Sequence, residues 1–144
     1  MATQNYSNHR QIVPVFHQVL LPVLFLTLIG SAVNLVQSWG DHQRLYSASL
    51  LVALSLCVLV LAVLARVFAL KAQDRAIRAE EGLRYFALTG KLLDHRLGTR
   101  QVVALRFAPD GELAGLSRRA AEESLSADAI KKAIKEWRAD TYRV

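Results

Sequence analysis

The sequence has few of the residues that build most catalytic and metal centres. Cys57 is the only cysteine in 144 residues, so the chain has neither a disulfide framework nor a cysteine cluster for zinc. A glycine-rich phosphate loop, an HExxH zinc motif and a nucleophile elbow are also missing. The adjacent Glu122 and Glu123 would point to different faces of a helix. We therefore predict no catalytic residue, no bound cofactor and no metal, and we expect a protein that is not an enzyme.

Charged residues are almost absent from the first 65 positions. The segment from Leu45 to Ala65 has no Asp, Glu, Lys or Arg, and it matches the roughly 20 residues that cross about 30 Å of hydrocarbon. Residues 11–40 are also uncharged, and they are strongly apolar from Val19 to Val36. That stretch is longer than the apolar region of a typical cleaved signal peptide. We predict two spans, at about 12–37 and 45–70, in an N-terminal part comprising residues 1–70.

The basic residues indicate how these spans are oriented. Sixteen of the 18 Lys and Arg residues lie between Arg66 and Arg143, whereas the connection 37–46 has only Arg44, next to Asp41. Because Lys and Arg accumulate on the cytoplasmic side of membranes, the C-terminal half is predicted to be cytoplasmic. Two spans then return the N-terminus to the same side.

Small and polar residues recur at helical spacing in both spans. Helices in lipid associate through close packing and hydrogen bonds, for which such faces are suited. We therefore predict a transmembrane helical hairpin in which the two stripes meet, with Asn34 bonded across the hairpin or to another subunit. The alternative is that Ala and Ser are simply frequent in membrane helices. Pro22 is expected to bend the first span. The predicted packing residues are Thr27, Gly30, Ser31 and Asn34 in the first span and Ala48, Ser55 and Ala62 in the second.

The second helix is predicted to continue out of the membrane as a cytoplasmic stalk. No proline and no turn signal interrupt the segment between Ala65 and Thr89, and Gly90 then supplies a C-terminal glycine. Apolar residues in this segment recur at steps of four and three, which invites a close helical neighbour in this chain, a second copy or another protein. They are Ala72, Ala76, Ala79, Leu83 and Phe86. Two ion pairs at i,i+4 spacing are expected on other faces, Asp74 with Arg78 and Glu80 with Arg84.

Three short helices are predicted to form a small cytoplasmic bundle within residues 71–144. Thr99 can cap a helix through Phe107, Asp110 another through Glu123, and Ser126 a third through about Arg138. Residues 101–116 also fit a β-hairpin around the Pro-Asp-Gly turn, although we favour helix. The last helix has an apolar face of Ile130, Ala133, Ile134 and Trp137. Its basic face consists of Lys131, Lys132, Lys135 and Arg138.

Polar and titratable side chains cluster before and at the start of the first span. They are Asn5, Tyr6, Asn8, His9 and His17. Two histidines can ligate a metal or haem, and imidazole titrates near neutral pH. However, the two rings lie eight residues apart without a further ligand, so we favour interfacial hydrogen bonding or helix capping for this cluster.

The C-terminal half is basic. From Arg66 onward it has sixteen Lys and Arg against eleven Asp and Glu. Such charge attracts anionic headgroups and also nucleic acid. Because acidic residues are interleaved with the basic ones, nucleic acid is the less favoured partner.

Several segments together resemble a family of small bacterial membrane proteins of unknown function. The resemblance extends over nearly the whole chain. It implies a two-span protein of the bacterial inner membrane, and it transfers no catalytic residue because the family has no known chemistry. The segments are NYSNH, Pro14 with His17 and Pro22, IGSAVNL, ARVFALKAQDRAIRAEEGLRYF, RQVVALRFA and IKKAIKEWRADTYRV.

The sequence thus predicts an all-α, multi-pass membrane protein with both termini in the cytoplasm. We expect a small non-catalytic membrane subunit or scaffold. Its cytoplasmic helices would dock onto another membrane protein subunit or form a homo-oligomer. One alternative is a membrane-tethered regulator that binds nucleic acid or anionic lipid through the basic face. Another is an accessory subunit for redox chemistry or transport.

Overall fold

The protein is entirely helical over the residues that the structure describes. The structure is a computed structural model that describes residues 4–8 and 12–140. Within these residues a π-helical segment, Val15–Leu20, precedes five α-helices, and no strand occurs. The helices are α1 (Leu21–Gln37), α2 (His42–Thr89), α3 (Thr99–Leu105), α4 (Asp110–Glu122) and α5 (Ala127–Ala133). The all-α prediction is confirmed, and residues 101–116 form parts of two helices joined by a turn at 106–109 rather than a β-hairpin.

The described residues form two compact units. One, here called the apolar unit, comprises residues 12–69 and contains α1 and the first part of α2. The other, here called the helical unit, comprises residues 70–140 together with residues 4–8. It contains the last part of α2 and all of α3, α4 and α5.

In the apolar unit, many large apolar side chains are exposed. Val15–Gln37 and α2 are each long and apolar enough to cross a membrane. Within them Leu26 is 66% exposed, Leu54 61% and Leu61 65%. Burying a leucine side chain is worth about 1.5–3 kcal/mol in water, so a water-soluble fold covers most such residues. Both helices therefore have the length and composition of membrane spans.

The start of the first span widens into a π-helix just before Pro22. The amide N–H of Leu21 donates to the carbonyl of Phe16, five residues earlier. Pro22 has no N–H with which to continue the ladder toward Gln18, so the turn before it must accommodate a missing hydrogen bond. Single π-turns are a known way of absorbing such a defect. The sequence predicted a bend at Pro22, and the structure places the irregularity in the preceding turn.

The helical unit has a core of its own. Its fully buried residues come from α3, α4, α5 and their connections, and the largest are Leu97, Leu105, Phe107, Leu113 and Ile130. Trp137 packs against this core, with its ring 4.9 Å from that of Phe107 between centroids. Since one apolar side chain of this size stabilises a fold by about 1.5–3 kcal/mol, these residues supply the main cohesion of the unit.

The predicted helix boundaries in this unit are correct to within one residue at five of the ends. Gly90 follows α2 with φ +69°, and its N–H donates to the carbonyl of Phe86 at 2.8 Å. Asp110 is the first residue of α4, and Pro109 rather than Asp110 occupies the capping position, which corrects that predicted cap. The Ser126 hydroxyl accepts from the N–H of Ala129 at 3.1 Å, as an N-cap does. At α3, Gly98 rather than Thr99 occupies the capping position, which corrects the predicted cap.

The end of the last helix differs more. α5 stops at Ala133 instead of reaching Arg138, because Ile134 adopts an extended conformation with ψ 124°. The Glu112 carboxylate accepts the backbone N–H groups of Lys135 and Glu136, both at 3.1 Å. These two donors would otherwise continue the helix. Residues 130–138 have the pattern of one helix. Nothing in this segment itself indicates that a carboxylate of α4 binds its backbone, so the early end of α5 could not be predicted from it.

We expect Glu112→Ala to release the segment after α5. The substitution removes the acceptor for two backbone donors, and each hydrogen bond to a charged group contributes about 1.5–3 kcal/mol. Hydrogen exchange measured on the full chain should therefore show faster exchange at the amides of residues 135–138. Glu122→Ala removes the same charge from an exposed position of the same helix and should leave these amides protected. Equal exchange in the two variants would contradict the capping role.

Candidate functional site

The part of α2 that belongs to the helical unit, residues 70–89, has an apolar stripe that no described residue of this unit covers. Leu83 is 70% exposed and Phe86 48%. On the packed side of the same segment, Ile77 and Glu81 are each 7% exposed. At 100° per residue the centres of the two sides lie about 160° apart around the helix. We call the exposed stripe the exposed seam; it comprises Ala72, Ala76, Ala79, Leu83 and Phe86.

Arg84 holds the packed side of this segment in place. Its guanidinium donates to the Glu81 carboxylate at 2.8 Å, to the Asp110 carboxylate at 2.8 Å through Nε, and to the carbonyl of Ala108 at 2.8 Å. The side chain is only 14% exposed. Arg138 approaches the other oxygen of Glu81 at 3.7 Å. Since α2 is tied to the start of α4 on this side, the exposed seam is fixed on the opposite side.

The ion pairs of this segment differ from the predicted ones. Arg84 binds Glu81 and Asp110 rather than Glu80. Arg78 donates to the carbonyl of Leu97 at 3.2 Å and to the Thr99 hydroxyl at 3.4 Å, and no ion pair with Asp74 is present among the described residues. The i,i+4 prediction was wrong because it considered one helix alone, whereas both arginines reach across to the following segments.

This rearrangement leaves two charged residues beside the exposed seam. Arg75 and Glu80 are exposed, and neither makes a hydrogen bond or ion pair with a described residue. At 100° per residue they flank the seam, about 70° to either side of its centre. Glu80 was predicted to pair with Arg84 and Arg75 was given no role, so neither flanking charge was recognised from the sequence.

The predicted basic face does not lie on one helix. Lys131 and Lys132 belong to α5, whereas Lys135 and Arg138 follow its end. Lys132 binds the Asp128 carboxylate at 2.8 Å. The backbone N–H of Arg138 donates to the carbonyl of Phe107 at 2.8 Å. Lys132 is thus tied closely, and Arg138 at longer range, to carboxylates of the same unit.

The predicted polar cluster is divided between the two units. The Tyr6 hydroxyl donates to the Asp128 carboxylate at 2.6 Å, and the Lys132 ammonium lies 5.3 Å from the centre of its ring. Asn5 closes a turn with the backbone N–H groups of Ser7 and Asn8. His17 lies in the apolar unit, with its Nδ1 3.0 Å from the carbonyl oxygen of Val13.

His9 lies outside the described residues. Across the part of the chain that is described, no three His, Cys, Asp or Glu side chains approach one another as metal ligands would.

The predicted packing residues differ in exposure. In the second span Ala48 is buried, and Ser55 and Ala62 are partly buried. In the first span only Ser31 is partly buried, whereas Thr27, Gly30 and Asn34 are exposed. The less exposed face of α1 consists mainly of leucines, Leu21, Leu24, Leu28 and Leu35, which the search for small residues missed. Packing through Thr27, Gly30 and Asn34 stays a prediction.

A shallow cleft of about 740 Å³ lies between the end of α2, the loop after it and α4. Asp94 and His95 line it, and hydrogen bonds from Arg96 lower the pKa of Asp94 to about 2. Ser117 also lines the cleft, but its hydroxyl oxygen has almost no accessible surface and makes no hydrogen bond to a described residue. The cleft therefore offers charged groups but no accessible hydroxyl from Ser117.

The ion pair between Asp128 and Lys132, to which Tyr6 is hydrogen-bonded, is expected to depend on pH. Hydrogen bonds from Lys132 and then Tyr6 lower the pKa of Asp128, and the carboxylate in turn raises the pKa of Lys132. A lowered carboxyl pKa stabilises the fold above the ordinary value of 3.8, and this contribution is lost as the pH falls through the folded-state pKa. Carbon-detected NMR titration of the full chain should show the pKa of Asp128 rising toward 3.8 in Lys132→Ala. Lys131→Ala, which removes only a weaker charge effect, should change it less; equal shifts would contradict the assignment.

Comparison with known proteins places the chain in a family without a described activity. Neither the curated proteins nor the solved structures include a match to it. A family model described as a family of unknown function (DUF6526) matches residues 1–144. The predicted membership of a family of unknown function is thereby confirmed over the full sequence. The chain belongs to the DUF6526 family of unknown function.

Proposed function

We propose that this protein is a small non-catalytic subunit or scaffold of the bacterial inner membrane. In this proposal α1 and the first part of α2 form a transmembrane hairpin that anchors the protein. The last part of α2 is a cytoplasmic stalk, and the helical unit docks onto a partner protein or onto another copy of the chain.

Support for the anchor comes from the exposed apolar side chains of the first 69 residues. Leu26, Leu54 and Leu61, each more than half exposed, belong to helices long enough to cross the bilayer. Lipid tails solvate such side chains at no cost, whereas water does not. A membrane therefore accounts for the exposed surface without further packing.

One contact supports the antiparallel arrangement of the two spans. The guanidinium of Arg66 lies 6.0 Å from the centre of the Phe16 ring. These residues are 25 positions on either side of Asp41, as expected for a hairpin with its turn there. Gly40, with φ +99°, provides the left-handed conformation that such a turn needs.

The pattern of exposure along the two spans supports the same arrangement. Partly or fully buried residues recur at steps of three and four in both helices, the spacing of a helix–helix contact. In α2 they are Leu45, Ala48, Val52, Ser55, Leu59 and Ala62. In α1 they are Leu21, Leu24, Leu28, Ser31 and Leu35.

The orientation follows from charge. The concentration of Lys and Arg after Arg66 favours a cytoplasmic helical unit, and the two spans then place the N-terminus on the same side. The contact of Tyr6 with Asp128 fits this orientation, because it joins an N-terminal residue to the C-terminal half.

The docking role is carried by the exposed seam. The helical unit already buries a core of its own, yet Leu83 and Phe86 remain 70% and 48% exposed. Apolar side chains of this size that lie together on one helix face mark interaction surfaces. Since no paired nucleophile and base accompany them in the described residues, the surface supports binding rather than chemistry.

Cysteine labelling in intact cells tests this topology. In a Cys57→Ala background, His42→Cys in the short connection should react with an impermeant maleimide added outside. Glu123→Cys, which is exposed in the helical unit, should react only after the membrane is permeabilised. The reverse pattern would overturn the orientation, and labelling of both positions in intact cells would overturn the hairpin.

A further inference from the structure

The exposed seam has the spacing of a coiled coil. Its five residues follow one another at steps of four, three, four and three, an average of 3.5 residues, which keeps one stripe facing a parallel or antiparallel partner helix. In heptad terms Ala76 and Leu83 occupy a positions. Ala72, Ala79 and Phe86 occupy d positions. All five are exposed, so this stripe is available along its whole length.

The flanking charges distinguish between partner directions. In the same register Arg75 occupies a g position and Glu80 the e position of the next heptad. In a parallel pair of helices, a g residue of one chain lies beside the e residue five positions later in the other. Arg75 would therefore face Glu80 of a second copy, and two-fold symmetry would form this pair twice. Both residues are exposed and unpaired with the rest of the described chain.

We infer that a second copy of this chain packs in parallel along the exposed seam and forms a two-stranded coiled coil through residues 72–86. The inference rests on the proposed function, since two copies inserted in the membrane with one orientation necessarily present α2 in parallel. Charge complementarity identifies the occupant: the surface supplies both members of each ion pair, so a copy of the same chain matches it. A single self-complementary surface suffices for such a closed dimer.

The side chains of the exposed seam fit this arrangement in two ways. Ala72, Ala76 and Ala79 have small side chains, which allow two backbones to approach closely. Leu83 and Phe86 then supply the larger apolar surface whose removal from water drives association. The Arg84 contacts with Asp110 and Glu81 lie on the other side of α2, so the second copy would not displace the helical unit.

Disulfide cross-linking in native membranes tests the inference. In the full chain with Cys57→Ala, Ala79→Cys introduces a cysteine at a d position, where two copies bring their Cα atoms within the roughly 7 Å that a disulfide requires. Mild oxidation should convert it to a product of twice the chain's mass. Lys71→Cys is the matched control: it is exposed on the same helix but lies outside the seam, and it should cross-link at least about tenfold less.

Charge reversal tests the direction and the occupant together. Adding Glu80→Arg to the Ala79→Cys chain places Arg75 beside an arginine of the second copy at both symmetric positions. Because two exposed attractions become two repulsions, cross-linking should fall about tenfold. Adding Arg75→Glu as well restores opposite charges across the interface and should restore the yield. A disturbance of the single helix would not be rescued in this way, since residues five apart do not face each other on one helix.

Three results would overturn the inference: equal cross-linking at residues 71 and 79, a product whose mass is not twice that of the chain, or no rescue by the double reversal. Maleimide labelling at residue 42 in the same cells separates these from failure of the proposed function. If the topology is as proposed but residue 79 does not cross-link, only the dimer is contradicted. If the topology differs, the proposed anchor is contradicted, and with it the reason for a parallel arrangement.

Discussion

The guanidinium of Arg84 joins the parts of the helical unit that the chain itself separates. It binds Glu81 on the same helix, the Asp110 carboxylate at the start of α4 and the carbonyl of Ala108 before it. A cation that is only 14% exposed needs such a set, because an unpaired charge in this position would cost several kcal/mol. These bonds fix which side of residues 70–89 packs against the rest of the helical unit. The exposed seam therefore lies on the opposite side of the helix.

The composition of α2 changes along its length. From Leu45 to Ala65 it has no charged side chain, and in our proposal this part lies in lipid, where exposed apolar side chains carry no penalty. After Lys71 the apolar residues are confined to two stripes: the one that includes Ile77 is covered by the helical unit, and the exposed seam is not. In water the exposed seam is unfavourable, because its apolar surface is not buried. If the first part of α2 spans a membrane, as we propose, exposed leucine is neutral there, whereas after Lys71 it favours association.

Local sequence signals were sufficient wherever the structure depends on neighbouring residues. The end of α2 at Gly90 and the start of α5 at Ser126 follow from glycine's left-handed conformation and from hydroxyl capping, and both were predicted. The end of α4 was also predicted to within one residue, although the left-handed position after it is taken by Ser124 with φ 51° rather than by a glycine. The lengths of the two apolar helices were likewise predictable from composition alone.

Features that depend on distant residues were not predictable in this way. Glu112 ends α5 from 23 positions away, Asp110 takes Arg84 from 26 positions away, and Tyr6 reaches Asp128 across 122 positions. Each is a hydrogen bond to a carboxylate that lies far away in the sequence, so the residues next to the donor do not reveal its partner. Since spacing rules consider one helix at a time, they assigned Arg84 to Glu80 and continued α5 to Arg138. The candidate seam was predicted as a stripe, but its flanking charges emerged only once Arg84 had been assigned elsewhere.

The division of charges on α2 also bears on how strongly two copies would associate under our inference. Glu81 and Arg84 are used within the chain, so only Arg75 and Glu80 remain to act across an interface. Exposed pairs of this kind contribute less than about 1 kcal/mol each, so they select direction and partner while adding little affinity. The apolar area of Leu83 and Phe86 is modest as well, and association from free solution carries a cost of at least about 4 kcal/mol in lost translation and rotation. A membrane reduces that cost, because anchored chains are already confined and aligned, as linked binding modules are. The seam is therefore suited to a protein held in a bilayer and would be a weak interface for a soluble one, which ties the docking surface to the anchor rather than making them independent features.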